Sequence, residues 1–142
     1  MLKTILVIVL IVIIIDSLIE TRLFRIKDYV FCSNKIKSDD EIRMIMLADL
    51  HNHSYGKNNR KLLKAIHKMN PDMILVAGDM LVAKPGVDFQ VALSLMEELS
   101  KTYPVYYENG NHEYRLKIYP EKYGTMYEDY VHALKSFGVH ML

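Results

Sequence analysis

The chain has 142 residues, and its 18 Lys and Arg stand against 17 Asp and Glu for a formal charge of +1. That length leaves room for one domain at most, and the even charge excludes nucleic-acid binding through a general basic field, so partners must be argued from particular side chains. The single cysteine, Cys32, excludes an internal disulfide and a thiolate metal site and reads as a free thiol.

In chain order, the first element is apolar throughout. Residues 5–15 are consecutive branched aliphatics, preceded by Lys3 and the terminal amine. This predicts a membrane helix over residues 1–20. A helix ending at Ile15 covers roughly 22 Å at 1.5 Å per residue, and continuing to Ile19 reaches the ~30 Å hydrocarbon core with Asp16 near the interface. The small-residue cleavage pattern of a secretory signal is missing after Ile15, which favours an uncleaved single-pass anchor in the cell membrane. Arg22, Arg25, Lys27, Lys35 and Lys37 follow it, which by the positive-inside rule puts the domain in the cytoplasm. Short N-terminal tails that stay inside argue the other way, so the side stays open.

From Thr21 the pattern alternates through Leu23, Phe24, Ile26, Tyr29, Val30 and Phe31, with a polar turn from Ser33 to Glu41. That predicts an extended connector over 21–41 leading to a domain over 42–142. Strands are predicted for Ile42–Ala48, Met73–Ala77 and Val105–Tyr107, each a short apolar run, and Val139–Leu142 begin a fourth. Between them, Asn58 can cap a helix to Met69 that Pro71 ends, and Asp88 can cap a helix presenting Phe89, Ala92, Leu95, Met96 and Leu99. A last helix, from about Pro120 to Phe137, carries Tyr123, Tyr127, Tyr130, Val131 and Leu134 on one face, a stripe read as core packing, and Gly138 closes it. The order is β-α-β-α-β-α-β, an α/β domain.

Three polar motifs follow the three strands: Asp49-Leu50-His51, Gly78-Asp79 and Gly110-Asn111-His112-Glu113. The carboxyl edge of an open α/β sheet is where loops converge and ligands lie. Asp49 and His51 are two apart, so in extended backbone both leave on one face and can grip one ion with an oxygen and a nitrogen. Asp79 has two oxygens, as bridging two metals roughly 3.5–4 Å apart requires, and it follows a glycine that lets the backbone turn beside an ion. Asn111 can give an amide oxygen to a second ion. His112 can give a proton or hydrogen bond to a substrate oxygen, and Glu113 can orient an imidazole from behind. Taken singly, each has an ordinary account: Asp49 and Asp79 as helix caps, Asn111 in a turn, the histidines as loop residues. Three in order, each after a strand, point to one metal site.

Together the motifs resemble the first three of the calcineurin-like metallophosphoesterases, especially the membrane-anchored bacterial branch, over about Ile42 to Leu142. The resemblance implies an N-terminal membrane helix followed by roughly half of that family's α/β sandwich. It also implies two divalent cations, with Mn, Fe or Zn all compatible with mixed oxygen and nitrogen ligands. Asp49 and His51 would hold the first, Asp79 would bridge, Asn111 would hold the second, and His112 would act near the scissile phosphate. The implied reaction is hydrolysis of a phosphomonoester or phosphodiester by a metal-bridging hydroxide attacking phosphorus in line.

Two departures from the pattern stand out. Met80 and Leu81 follow Gly78-Asp79 where the family often carries an acidic residue. The family's later histidine ligands, one isolated and two in a Gly-His-x-His loop, have no counterpart, since His132 and His140 match neither and His53 and His67 read as surface residues. The expectation is an incomplete domain: a site weak at its second metal, and an apolar sheet face without its cover unless a C-terminal half or a second chain supplies it. The alternative function is a noncatalytic truncated product or an interaction module that needs a second chain.

Overall fold

The computed structural model describes residues 2–20, 23–35 and 41–142, and the side chains of all of these except 2 and 16–20. The chain falls into two units, Met1–Ser33 and Asn34–Leu142.

In the first unit, α1 spans Leu2–Glu20, and Ile5 to Ile15 all stand exposed. The expected membrane helix does not hold. Among the described residues no helix is long and apolar enough to cross a membrane. The stretch of α1 that carries the apolar run, 3–15, is short, covering about 20 Å at 1.5 Å per residue against a ~30 Å core. The placement of Asp16 at an interface lies outside the described side chains. Residues 23–33 form neither helix nor strand, and Cys32 is a free, exposed thiol. Residues 21–22 and 36–40, part of the expected connector and turn, lie outside the described residues.

The second unit is built on one four-stranded sheet: β1 (Met44–Leu47), β2 (Met73–Val76), β3 (Val105–Tyr107) and β4 (His140–Met141), in the order β1-β2-β3-β4 and parallel throughout. The connections carry α2 (Arg60–Met69), preceded by a 3₁₀ turn at Lys57–Asn59, then α3 (Gln90–Ser100), then α4 (Asn111–Ile118), α5 (Pro120–Tyr123) and α6 (Met126–Ser136). Parallel strands need such crossovers, and when each strand is laid beside the last with one hand of crossover, the helices collect on one face.

Register separates the two faces. Ile45, Ile74 and Val105 align across the sheet, as do Leu47, Val76, Tyr107 and Met141. On this side Ile74, Val76, Val105 and Tyr107 are buried together with Ile66 of α2, Leu95, Met96 and Leu99 of α3, and Tyr130 and Leu134 of α6. Each such side chain stabilises the fold by roughly 1.5–3 kcal/mol relative to exposure. The opposite side presents Met44, Met46, Met73, Leu75 and Tyr106; Met46 is 69% exposed, and the exposed His140 ring stacks on Tyr106 at 5.0 Å. Among the described residues of this unit, that apolar face has no covering layer.

Two local departures from the expected elements have clear causes. The last predicted helix is broken, because Gly124 takes φ 60° between α5 and α6. The stretch read as a loop after Gly110 is instead α4, started by Glu113, whose side chain at the third helical position reaches back to the Gly110 N–H at 3.1 Å.

Candidate metal centre

Three loops leave the carboxyl edge of β1, β2 and β3 and are tied to one another before any side chain is considered. Asp49, His51 and Asn52 donate backbone N–H groups to the carbonyls of Gly78, Asp79 and Met80 at 3.2, 3.0 and 3.0 Å. The loop after β1 thus runs along the loop after β2. Asp49, His51, Asn52 and Asp79 all take left-handed backbone, with φ of 56°, 48°, 58° and 53°. Non-glycine residues held there cost of order 1–3 kcal/mol each, and such strain clusters at functional sites.

The loops after β2 and β3 meet through two glycines. A Cβ on Gly78 would lie 1.9 Å from the Gly110 nitrogen, and one on Gly110 would lie 2.3 Å from the Asp79 nitrogen and 2.5 Å from its Oδ1. Backbone therefore packs directly on backbone, and Asp79 is brought to the start of α4. Its Oδ1 accepts the His112 N–H at 2.7 Å.

These constraints bring Asp49, His51 and Asp79 together: one candidate ligand atom from each lies within 4.8 Å of the others. His51 Nε2 is 3.4 Å from Asp49 Oδ1. Asp49 and His51 are exposed and Asp79 is half-buried, so the group opens outward. Two carboxylates and an imidazole, preset at that spacing with no lysine or arginine among the described residues paired to them, form a donor set that suits a divalent transition metal. The residues fit the group.

His112 stands beside this triad. Its ring meets that of His51 edge-on with centroids 5.0 Å apart. Its Nδ1 accepts the Ala83 N–H at 2.8 Å, so in the neutral imidazole the proton sits on Nε2. Asn111 is the exposed first residue of α4, one peptide from His112.

Glu113 lies beneath, 0% exposed. Its Oε2 accepts the N–H groups of Asp79 and Gly110 at 2.9 and 3.1 Å, and its Oε1 accepts the Met80 N–H and the Tyr107 hydroxyl at 2.9 and 2.8 Å. These bonds go to backbone and a tyrosine rather than to an imidazole. A single carboxylate thus pins the loops after β2 and β3 to each other. The Tyr107 hydroxyl meets that of Tyr130 at 2.9 Å. Burial pushes both phenols well above their ordinary value, with the neighbouring Tyr130 and Glu113 adding to the shift at Tyr107.

The remaining polar residues separate cleanly from the triad. Met80 and Leu81, in place of an acidic residue, are each 1% exposed and belong to the core. His53, expected at the surface, is half-buried against Tyr55 at 4.6 Å, and His67 pairs through Nδ1 with the Tyr103 hydroxyl at 2.9 Å. His132 is exposed on α6. None of them joins the group of Asp49, His51 and Asp79. Tyr107 and Tyr130 escaped the sequence reading as site-supporting residues; the available signal was that a buried tyrosine needs a partner for its hydroxyl.

A parallel α/β sheet with an outward-opening Asp-His-Asp group at its carboxyl edge defines an α/β protein with a candidate metal site. Comparison with known families is specific: residues 42–140 match the calcineurin-like phosphoesterases, and the chain belongs to that family. It is also 32% identical over 79 residues to an uncharacterized metallophosphoesterase of Campylobacter jejuni, Cj0846, across 52% of this chain and 20% of the relative. The chain therefore spans about a fifth of the length of the relative it matches.

Proposed function

We propose that this domain acts in metal-dependent hydrolysis of a phosphomonoester or phosphodiester. The observation that carries the reading is the convergence of Asp49, His51 and Asp79 donor atoms within 4.8 Å on strained, mutually bonded loops. Asp49, His51 and Asp79 would hold a first divalent cation, with Asp79 and Asn111 offered to a second; Mn, Fe and Zn all suit such ligands. Bound there, the metal supplies Lewis-acid polarisation and neutralises charge on the phosphoryl oxygens.

The protein's own groups supply placement and a proton. His112 keeps its proton on Nε2, because Nδ1 is engaged by Ala83, so the free edge of the ring is a donor to a substrate oxygen or a departing alkoxide. The His112 N–H on Asp79 Oδ1 fixes the rotation of that carboxylate, leaving its other oxygen to a cation. Glu113 keeps the two loops from separating when charge accumulates at the rim.

The test is Mn²⁺-dependent hydrolysis of a generic aryl phosphodiester by the purified chain and its Asp79→Asn and His112→Ala variants. The reading expects turnover that Asp79→Asn abolishes and His112→Ala lowers by about 10²–10⁴-fold, the usual contribution of a general acid. Turnover unchanged in Asp79→Asn would overturn it.

A further inference from the structure

Below the rim, the hydrogen bonds form a chain whose direction follows from counting protons. The two oxygens of Glu113 receive four donors: the N–H groups of Asp79, Gly110 and Met80, and the Tyr107 hydroxyl. A phenol has one proton to give. Tyr107 spends its proton on Glu113 Oε1, so at its 2.9 Å contact with Tyr130 it must accept, and Tyr130 must donate. Donation runs from Tyr130 to Tyr107 to Glu113, and the Asp79 N–H donates to the same carboxylate from the other side. All three side chains are fully buried. The two hydroxyl donations run the same way, so that of Tyr130 strengthens that of Tyr107 to Glu113.

We infer that Tyr107 and Tyr130 are positioning residues for the metal triad, with Tyr130 acting through Tyr107 and Tyr107 acting through Glu113 on the peptide that aims Asp79. The inference rests on the reading of Asp49, His51 and Asp79 as metal ligands. Its structural core is that Glu113 Oε1 holds the Met80 N–H and Tyr107 together, so loss of the phenol proton frees that oxygen to shift and loosens the left-handed turn at Asp79. Tyr130 comes from α6, so the last helix before β4 is coupled to the loop after β2 through two hydroxyls and one carboxylate. Phe89 packs edge-on against the Tyr130 ring at 5.3 Å and fixes the ring that donates.

The experiment is titration of the full chain with Mn²⁺ alone, by calorimetry, for the wild type, Tyr107→Phe, Tyr130→Phe, the double variant, Asp79→Asn, and Tyr103→Phe as a control. Tyr103 serves as control because its hydroxyl meets His67. Partners that hold a metal ligand directly are worth roughly 10–100-fold in affinity, so Tyr107→Phe, one link further out, should weaken Mn²⁺ by about 3–10-fold. Tyr130→Phe should weaken it less, and should add nothing in the Tyr107→Phe background, because its effect has no other route. The visible spectrum of the Co²⁺-loaded chain should shift in Tyr107→Phe and stay unchanged in Tyr103→Phe.

A merely structural role predicts otherwise: lowered thermal midpoints that add in the double variant, with wild-type Mn²⁺ affinity and Co²⁺ spectrum. That result overturns the inference while leaving the metal site standing. Wild-type affinity in Asp79→Asn overturns the metal site itself, and the inference with it.

Discussion

Two sets of acids meet at the carboxyl edge of the sheet under opposite conditions. Glu113 is fully buried and each of its oxygens is saturated with donors. Asp49 is exposed, with His51 Nε2 3.4 Å from its Oδ1, and Asp79, half-buried, keeps one oxygen engaged by the His112 N–H. The buried acid has no capacity left for chemistry; the rim acids have capacity to spare and sit on left-handed backbone that would relax if nothing held it. Satisfied bonds below thus hold strained side chains with free acceptor capacity above. The comparison teaches which residues should fail by unfolding and which by losing function.

The sharpest way to break the lower layer is Gly78→Ala. Its φ of 79° disfavours any side chain, and the new Cβ would meet the Gly110 nitrogen at 1.9 Å, so two loops must part. We expect a loss of about 3–5 kcal/mol in urea unfolding, from overpacking together with left-handed strain. Next comes Glu113→Gln, which keeps the volume but turns an amide NH₂ towards neighbours that are themselves donors. It should cost about 2–3 kcal/mol, read by the same method.

The tyrosine pair gives a pH test. Burial raises both phenols above their ordinary value near 10, so the folded state favours the neutral forms. Their contribution is fully present below about pH 10 and is lost progressively as the pH rises from there towards the folded-state values. The expected slope is roughly 1.4 kcal/mol per pH unit for each phenol. Thermal midpoints from pH 9 to 11 should fall more steeply in the wild type than in Tyr130→Phe. Equal slopes would show that these hydroxyls carry no such linkage.

The smallest effect on stability belongs to the rim. Asp49→Asn, which keeps a residue tolerant of left-handed backbone, should change unfolding free energy by less than about 0.5 kcal/mol while weakening metal binding. If Asp49→Asn unfolded the domain as readily as Glu113→Gln, the division between a holding layer and a held layer would be lost.

Much of this arrangement is legible in the sequence, for physical reasons. Short apolar runs ending in polar motifs located β2 and β3 and bounded β1, because strands buried on one face and flanked by helices leave little ambiguity of period. The start of α3 was legible to within a residue: its N-cap is Phe89, which has no side-chain cap bond, and Asp88 one position earlier accepts the Gln90 N–H at 2.7 Å. Asp49, His51 and Asp79 could be grouped because each follows a strand of one parallel sheet. What was not legible depends on three dimensions or on competing signals. α4 hid behind Gly110 and Asn111, residues that equally mark a turn, and was given away only by Glu113 three positions on. The role of Tyr107 and Tyr130 required knowing that β3 and α6 pack together, since spacing alone shows an aromatic stripe and not where its hydroxyls point. Residues 5–15 suggested a membrane helix by composition, and the described extent of α1 is too short to bear that out.

The central claim, that Asp49, His51 and Asp79 hold a divalent cation, is tested most directly by titrating Mn²⁺ into the purified chain and following the free-ion signal by electron paramagnetic resonance, for wild type and Asp79→Asn side by side. The account predicts loss of the free Mn²⁺ signal in the wild type and at least about tenfold weaker uptake in Asp79→Asn, since one charged oxygen ligand is removed. Equal uptake by both proteins, or none by a folded wild type, would contradict it.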